Sequence, residues 1–185
     1  VTVGTLGRAS FRALIDSPQL LSLFDYWLAK RGHNFAPHRA DFDPIDLPKL
    51  LPHLILSEVG DGGNEILYRL VGTEIVKAHG YDYTGYTVQR LTSGATLAFT
   101  QELYGRIVSE QMPVYSEGHF RWMGKEHSWT KRLHLPLTRG GAMVDMVLAC
   151  QVFEAPPRRP QETVRAATAA ELEADRDALV TSAIP

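Results

Sequence analysis

Between residues 114 and 153 the chain offers three strand-length stretches in direct succession, at 114–122, 127–137 and 142–153. The links between them are short. Gly124-Lys125 suits a two-residue turn with glycine first, and Arg139-Gly140 or its neighbours suit the next. Links this short join antiparallel neighbours, because a parallel connection needs a dozen or more residues. The C-terminal half is therefore committed to an antiparallel meander, and such a sheet needs something packed on it. Upstream, Ser17 is a good N-cap and Pro18 suits the first helical position. Leu20, Leu21, Phe24, Trp27 and Leu28 recur at helical spacing as one apolar stripe. Lys30 and Arg31 favour the C-terminal dipole, and Gly32 stops the helix. An amphipathic helix of this kind is a cover for a sheet.

The rest of the chain fills in around these two pieces. Asp43-Pro44 repeats the cap-plus-proline start, with Ile45, Leu47, Leu50 and Leu51 following, but Pro48 and Pro52 limit it to short turns. Strands are expected at 54–59 and 65–71, joined by Asp61-Gly62-Gly63. Thr73 is placed to cap a short helix running through His79 and ended by Gly80, and 81–85 reads as a loop. A longer helix is expected at about 95–110, with Phe99, Leu103 and Ile107 on one row and Tyr104 and Val108 on the next, closed by Met112-Pro113. Past Phe153 the prolines Pro156, Pro157 and Pro160 break order. The alanine-rich acidic segment 168–180 has only Leu172, Leu179 and Val180 as sizeable apolar side chains, so it is expected to dock weakly.

Composition narrows function by exclusion. The 185 residues fit one domain able to bury its own core. One cysteine leaves no internal disulfide framework and no multi-cysteine zinc or iron–sulfur site. A formal charge of -2 argues against nucleic acid as the main partner. No apolar run reaches the roughly 20 residues of a membrane span, and 1–10 lacks the pattern of a signal peptide, so the chain reads as cytoplasmic. The seven histidines form no H-E-x-x-H or H-x-H pair, and no phosphate loop or G-x-S-x-G elbow is present. No metal site is implied.

The order of helix, two strands, helices and three strands is that of PAS domains. Gly124, Trp129, Pro136 and Gly141 are spaced as in the C-terminal half of many PAS domains. Arg69-Leu70-Val71-Gly72-Thr73, then His79-Gly80 and Thr84-Gly85, resembles the PAS lead-in to the inserted helices, with Arg69 in a structural role. The stretch Tyr26-Trp27, Pro37, Arg39, Asp43-Pro44 and Leu50-Leu51-Pro52 resembles a bacterial, alphaproteobacterial-type subfamily of stand-alone PAS proteins. The resemblance covers about 20–154. It implies an α+β fold: a five-stranded antiparallel sheet with helices inserted after strand 2 and the N-terminal helix packed on the sheet. The expected organisation is a leader at 1–16, the PAS-like domain at 17–154 and a Pro/Ala-rich tail at 155–185.

A Gly124-Lys125 turn pairs Phe120 with Trp129, Gly118 with Lys131 and Ser116 with Leu133. The other face then pairs His119 with Thr130, Glu117 with Arg132 and Tyr115 with His134. An Arg139-Gly140 turn pairs Leu133 with Met146, Leu135 with Val144, Trp129 with Cys150, and on the polar face His134 with Asp145. Glu117 beside Arg132 and Asp145 beside His134 are good cross-strand charge complements. Similarity to flavin-binding PAS domains turns the polar face inward. The first, third and fifth residues after the strand tryptophan are Thr130, Arg132 and His134, and Gln151 matches a flavin-contacting glutamine. The expected ligand-binding set is Tyr115, Glu117, His119, Thr130, Arg132, His134 and Gln151. The apolar face, with Trp129, Leu133, Met146, Cys150 and Phe120, is expected under the N-terminal helix.

These readings imply a non-enzymatic sensory or protein-interaction module. It binds a small polar or anionic ligand and signals through a partner, as a homodimer formed through the apolar helix or the outer sheet face. No cofactor is implied. Haem-binding PAS domains carry an axial histidine in the region of His79, but one regional match does not support haem. Flavin photochemistry needs a cysteine in that region, where none stands, and Cys150 reads as a small buried hydrophobe. The alternatives are a cone-fold enzyme or carrier using His134 and Asp145 as an acid–base pair, and a ligand-free structural adaptor.

Overall fold

A six-stranded antiparallel sheet separates two layers of helices in a computed structural model of the chain that describes residues 10–120 and 128–182. The elements run α1 (Phe11–Leu14), α2 (Pro18–Arg31), β1 (Leu54–Gly60), β2 (Glu65–Val71), α3 (Thr73–His79), α4 (Val88–Leu91), α5 (Gly94–Glu110), β3 (Val114–His119), β4 (Trp129–Leu137), β5 (Met146–Glu154), β6 (Thr163–Ala166) and α6 (Ala169–Ser182). Single 3-10 turns fill Arg39–Asp41, Pro44–Asp46 and Leu51–His53, where proline spacing forbids a longer helix. The strand order is β2-β1-β5-β4-β3-β6, with β5 returning beside β1 to join the first hairpin to the meander.

The helix starts are made by backbone rather than by the expected side chains. Ser17 stands at the N-cap of α2, but its hydroxyl donates to Gln19 Oε1 at 3.2 Å instead of capping. At α3 the N-cap is Gly72, and Thr73 is already helical. The ends follow expectation, with Gly80 left-handed at φ 91.

The apolar stripe of α2 lies on β4 and β5. Leu20, Leu23, Phe24, Trp27 and Leu28 are fully buried there with Leu133, Leu135, Leu137, Met146, Leu148 and Cys150. Trp27 Nε1 donates to the Pro136 carbonyl at 2.9 Å, which fixes the helix on the strand while leaving no polar atom stranded. On the opposite face, α5 is held by glycine contact. A Cβ on Gly63, in the turn between β1 and β2, would lie 2.3 Å from the Gly105 backbone nitrogen, and its φ of +106 disfavours any other residue. This close approach seats α5 over the sheet.

The segment read as a loose tail is built into the fold. Thr163–Ala166 pairs antiparallel with β3, making six strands where five were expected. The helix beyond it buries Leu172 completely and ties into α1 and α2. Asp175 Oδ2 accepts from the Arg12 amide at 3.0 Å, and Glu173 Oε1 from Arg31 Nη1 at 3.1 Å. A low overall hydrophobicity hid this, because α6 docks mainly through charge-assisted bonds.

Both meander registers differ from those counted out from the turns. Between β3 and β4 the pairs are Val114–His134, Tyr115–Leu133, Ser116–Arg132, Glu117–Lys131, Gly118–Thr130 and His119–Trp129, a slip of one residue. The Gly124-Lys125 turn that set the expected register lies outside the described residues. Between β4 and β5 the slip is four, with Leu133 opposite Cys150 and Arg132 opposite Gln151. Here the link is a loop over 138–145, not a tight Arg139-Gly140 turn. Asp145 draws it together by accepting from the Arg139 amide at 3.0 Å and Arg139 Nε at 2.9 Å. A slip of four keeps every side chain on its face, whereas a slip of one reverses β3.

Candidate functional site

Between the sheet and the layer of α3, α4 and α5 lies a cavity of about 510 Å³, within the range of small-molecule sites. Its wall on the sheet side is polar. Ser116, Arg132 and Gln151 stand side by side on β3, β4 and β5, paired in one row across the strands. His134 lies one step along β4 on the same face. The opposite walls are apolar and aromatic: Tyr68, Tyr83, Val88, Leu91, Leu103 and Tyr104 among them.

The electrostatics follow from burial. Burial pushes the Arg132 guanidinium down to about 10, which leaves it charged at neutral pH. It makes no ion pair among the described residues, and Glu162 acts on it through space. Burial, then the charge on Arg132, pushes the His134 imidazole down to about 3, so the ring is neutral. Burial also raises the phenols that line the cavity: Tyr104 goes up to about 12, with its hydroxyl 3.2 Å from Ser57 Oγ, and Tyr68 and Tyr83 are held well above the usual range. These three phenols are neutral and act as walls.

Three polar atoms on this face have no hydrogen-bond partner among the described residues: Ser116 Oγ, His134 Nδ1 and Gln151 Nε2. Each is fully removed from the protein exterior, and each belongs to a side chain lining the cavity. Leaving a buried donor or acceptor unmade costs about 1–3 kcal/mol per group.

Of the seven residues expected at the site, Arg132, His134, Gln151, Glu117 and His119 line the cavity. By parity the last two share Tyr115's face of β3, opposite Lys131 and Trp129, and both are partnered. Glu117 Oε2 accepts from the Tyr115 hydroxyl at 3.2 Å, and the His119 ring meets Trp129 edge-on at 5.0 Å. Thr130 faces the same side as Arg132 but is fully buried, its hydroxyl donating to the Gly118 carbonyl at 3.2 Å. Tyr115 is on the opposite face, packed in the α2 core. The one-residue slip puts it there and brings Ser116 into the cavity in its place. It also undoes the Glu117–Arg132 complement, since Glu117 stands opposite Lys131. Phe120, expected on the α2 face, instead meets His79 and Phe153 edge-on at the cavity. The His134–Asp145 pair is not formed either. His134 stands opposite Ala149, and Asp145 is held by Arg139, so the acid–base pair of the enzyme alternative is not assembled.

The wall residues outside the expected set include Ser116, Tyr68, Tyr83, Tyr104, Glu162 and Val164, and the threonines Thr92, Thr96 and Thr100. A correct register would have found Ser116. Tyr104 stood on a helical row already identified, whereas Tyr83 in its loop and the two residues from beyond 154 carried no signal. His79 also lines the cavity, with Nδ1 3.0 Å from the Ile75 carbonyl and its ring edge-on to Tyr83 at 5.1 Å.

An antiparallel sheet with helices inserted after its second strand, enclosing a cavity against one face, matches the architecture implied by the sequence. The family model described as PAS domain matches residues 15–150. The chain belongs to the PAS family. PAS domains are generally non-enzymatic sensory modules and often mediate ligand binding and protein interaction. A search of curated proteins returns no match. Beyond the PAS match lie β6 and α6, the two elements past residue 154. Among the described residues no group of three potential metal ligands comes together, and no helix is long and apolar enough to cross a membrane.

Proposed function

We propose that this PAS domain is a non-enzymatic sensory module whose cavity binds a small polar or anionic ligand and which signals by association with a protein partner. One observation carries the reading. Among the described residues, three of the five buried polar side-chain atoms without a partner stand together on one cavity wall, beside a guanidinium that makes no ion pair there. A ligand with complementary groups removes that penalty, so binding and stability are coupled. A solvated sheet face does not account for it, because the same side chains are enclosed by α4 and α5.

Partner association uses a surface other than the one the sequence offered. The apolar stripe of α2 and the outer sheet face are buried against each other and beneath α6, so neither is available to a second subunit.

Native mass spectrometry of protein purified without denaturation tests the reading, together with melting curves against a metabolite panel. A co-purified small molecule, or a ligand-dependent rise in melting temperature that Arg132→Ala abolishes, supports it. A ligand-free mass with a melting temperature indifferent to the whole panel overturns it.

A further inference from the structure

Resting on that reading, we infer that the ligand is an amphiphilic monocarboxylic acid, its carboxylate on the Ser116–Arg132–Gln151 row and its apolar body along α5 toward the open side of the cavity. Four features of the wall lead there.

The row is rich in donors. Ser116 Oγ and Gln151 Nε2 flank the guanidinium of Arg132, one on each neighbouring strand. Adjacent strands are about 4.8 Å apart, so the three residues start within about 10 Å of one another, with Arg132 in the middle. A guanidinium donates only, and its planar fork matches a carboxylate in bidentate geometry.

The charge on the row is single. Among the described residues Arg132 is the one lining arginine, and no lysine lines the cavity. The two lining carboxylates each accept a hydrogen bond, Glu117 from the Tyr115 hydroxyl and Glu162 from the His119 amide at 3.3 Å, and they keep their charges, so the site tolerates at most one further negative charge, set against Arg132. A dianion would bring a second charge with no counterion into an enclosed site, which is strongly unfavourable. The neutral His134 adds a contact without adding charge.

The opposite wall has no charged group of its own. Val88, Leu91, Phe99 and Leu103 from α4 and α5 line it together with Thr92, Thr96 and Thr100, and Tyr83 meets Tyr68 of β2 edge-on at 5.0 Å at its margin. Three threonine hydroxyls and the Tyr104 phenol are the polar side-chain groups this helical wall offers, so a ligand that is polar throughout would leave most of its groups unpaired against it.

The opening is apolar as well. Phe99 on α5 and Val164 on β6 are 46% and 45% exposed, and both line the cavity. Large apolar side chains left at the rim of a polar-floored cavity suit a ligand whose hydrocarbon end lies outward.

Calorimetric titration of the full chain with decanoate and 4-phenylbutyrate tests this, with acetate, 4-phenylbutyramide and phenyl phosphate as controls. The two amphiphilic acids are expected to bind. Acetate lacks the apolar body and should bind at least about tenfold more weakly. Arg132→Gln should weaken the acids by about 10- to 100-fold, the range for a lost charge-assisted hydrogen bond. Gln151→Leu, which keeps the side chain's size and removes its amide, should weaken them less, and the unfolding transition of each row variant verifies that it folds. Equal or tighter binding of the amide or of phenyl phosphate overturns the assignment, and so does binding by the acids that neither variant alters. If no probe binds, this inference falls alone. The ligand-binding reading then stands or falls on the co-purified mass and the metabolite panel.

Discussion

The two faces of the central strands are made by the same alternation of residues, yet they are finished in opposite ways. Toward α2, strand β4 presents Leu133, Leu135 and Leu137, all fully buried, and its one charged residue, Lys131, is answered by Asp16 and Glu154, each at 2.9 Å. Toward α5, the same strand presents Thr130, Arg132 and His134. Among the described residues two unpartnered buried side-chain atoms lie on the α2 side, Trp129 Nε1 at the start of β4 and Arg31 Nε on α2, against three on the α5 side. Native folds satisfy nearly all buried polar groups. The three exceptions on the α5 side share one cavity wall, whereas the two on the α2 side stand apart on α2 and β4, and that clustering separates a surface built for stability from one built for contact with something else.

That contrast can be broken by experiment. The largest effect is expected on the α2 face. Trp27→Ala removes a fully buried ring and the bond to Pro136, and should lower unfolding free energy by about 3–5 kcal/mol in denaturant titration. An unchanged midpoint would mean that α2 is not the cover of the sheet.

The next effect belongs to the α5 face and depends on pH. Burial holds the His134 imidazole at about 3, against about 6.5 in the unfolded chain, so below pH 6.5 the unfolded state binds a proton that the folded state does not. Stability associated with His134 is complete above pH 6.5 and is lost progressively as pH falls toward 3. Going from pH 7 to pH 5 should cost on the order of 2 kcal/mol. His134→Gln should flatten that part of the profile, measured as unfolding free energy against pH. A wild-type slope that survives the substitution would place the titrating group elsewhere.

The smallest effect sharpens the contrast most. Ser116→Ala deletes an unpartnered hydroxyl, so it should leave the ligand-free protein unchanged or more stable, by about 1 kcal/mol at most. A clear loss of stability in thermal melts would show that Ser116 Oγ has a partner in solution and would remove it from the ligand row.

The elements of this fold were legible in the sequence because each is announced locally. Ser17-Pro18 and Gly32 bracket α2, Asp61-Gly62-Gly63 turns β1 into β2, and Gln111 at φ 56 closes α5 just before Met112-Pro113. The family was legible too, and the resemblance to flavin-binding PAS domains is what pointed Arg132, His134 and Gln151 to the side on which the cavity lies. Register was not. It depends on where a connection closes, and the 138–145 loop is closed by Asp145 on Arg139, a contact between side chains that no turn rule contains. The β3 register differed by a single residue, and that was enough to exchange Tyr115 for Ser116. The sixth strand escaped for a different reason. Thr163–Ala166 is only four residues long, it follows three prolines, and its role is supplied by the free side of β3, not by its own pattern.

That short strand ties together parts of the molecule otherwise separated by the thickness of the sheet. Val164 and Glu162 form part of the cavity wall. A few residues later Leu172, Glu173 and Asp175 brace α1 and α2 on the far side. The same stretch also occupies the flank of β3, which would otherwise present unpaired amides and carbonyls, a ready template for joining another chain. Binding wall, helix brace and guard against edge-to-edge aggregation thus reside in one piece of backbone, and cutting the chain back to the matched family core would remove all three together.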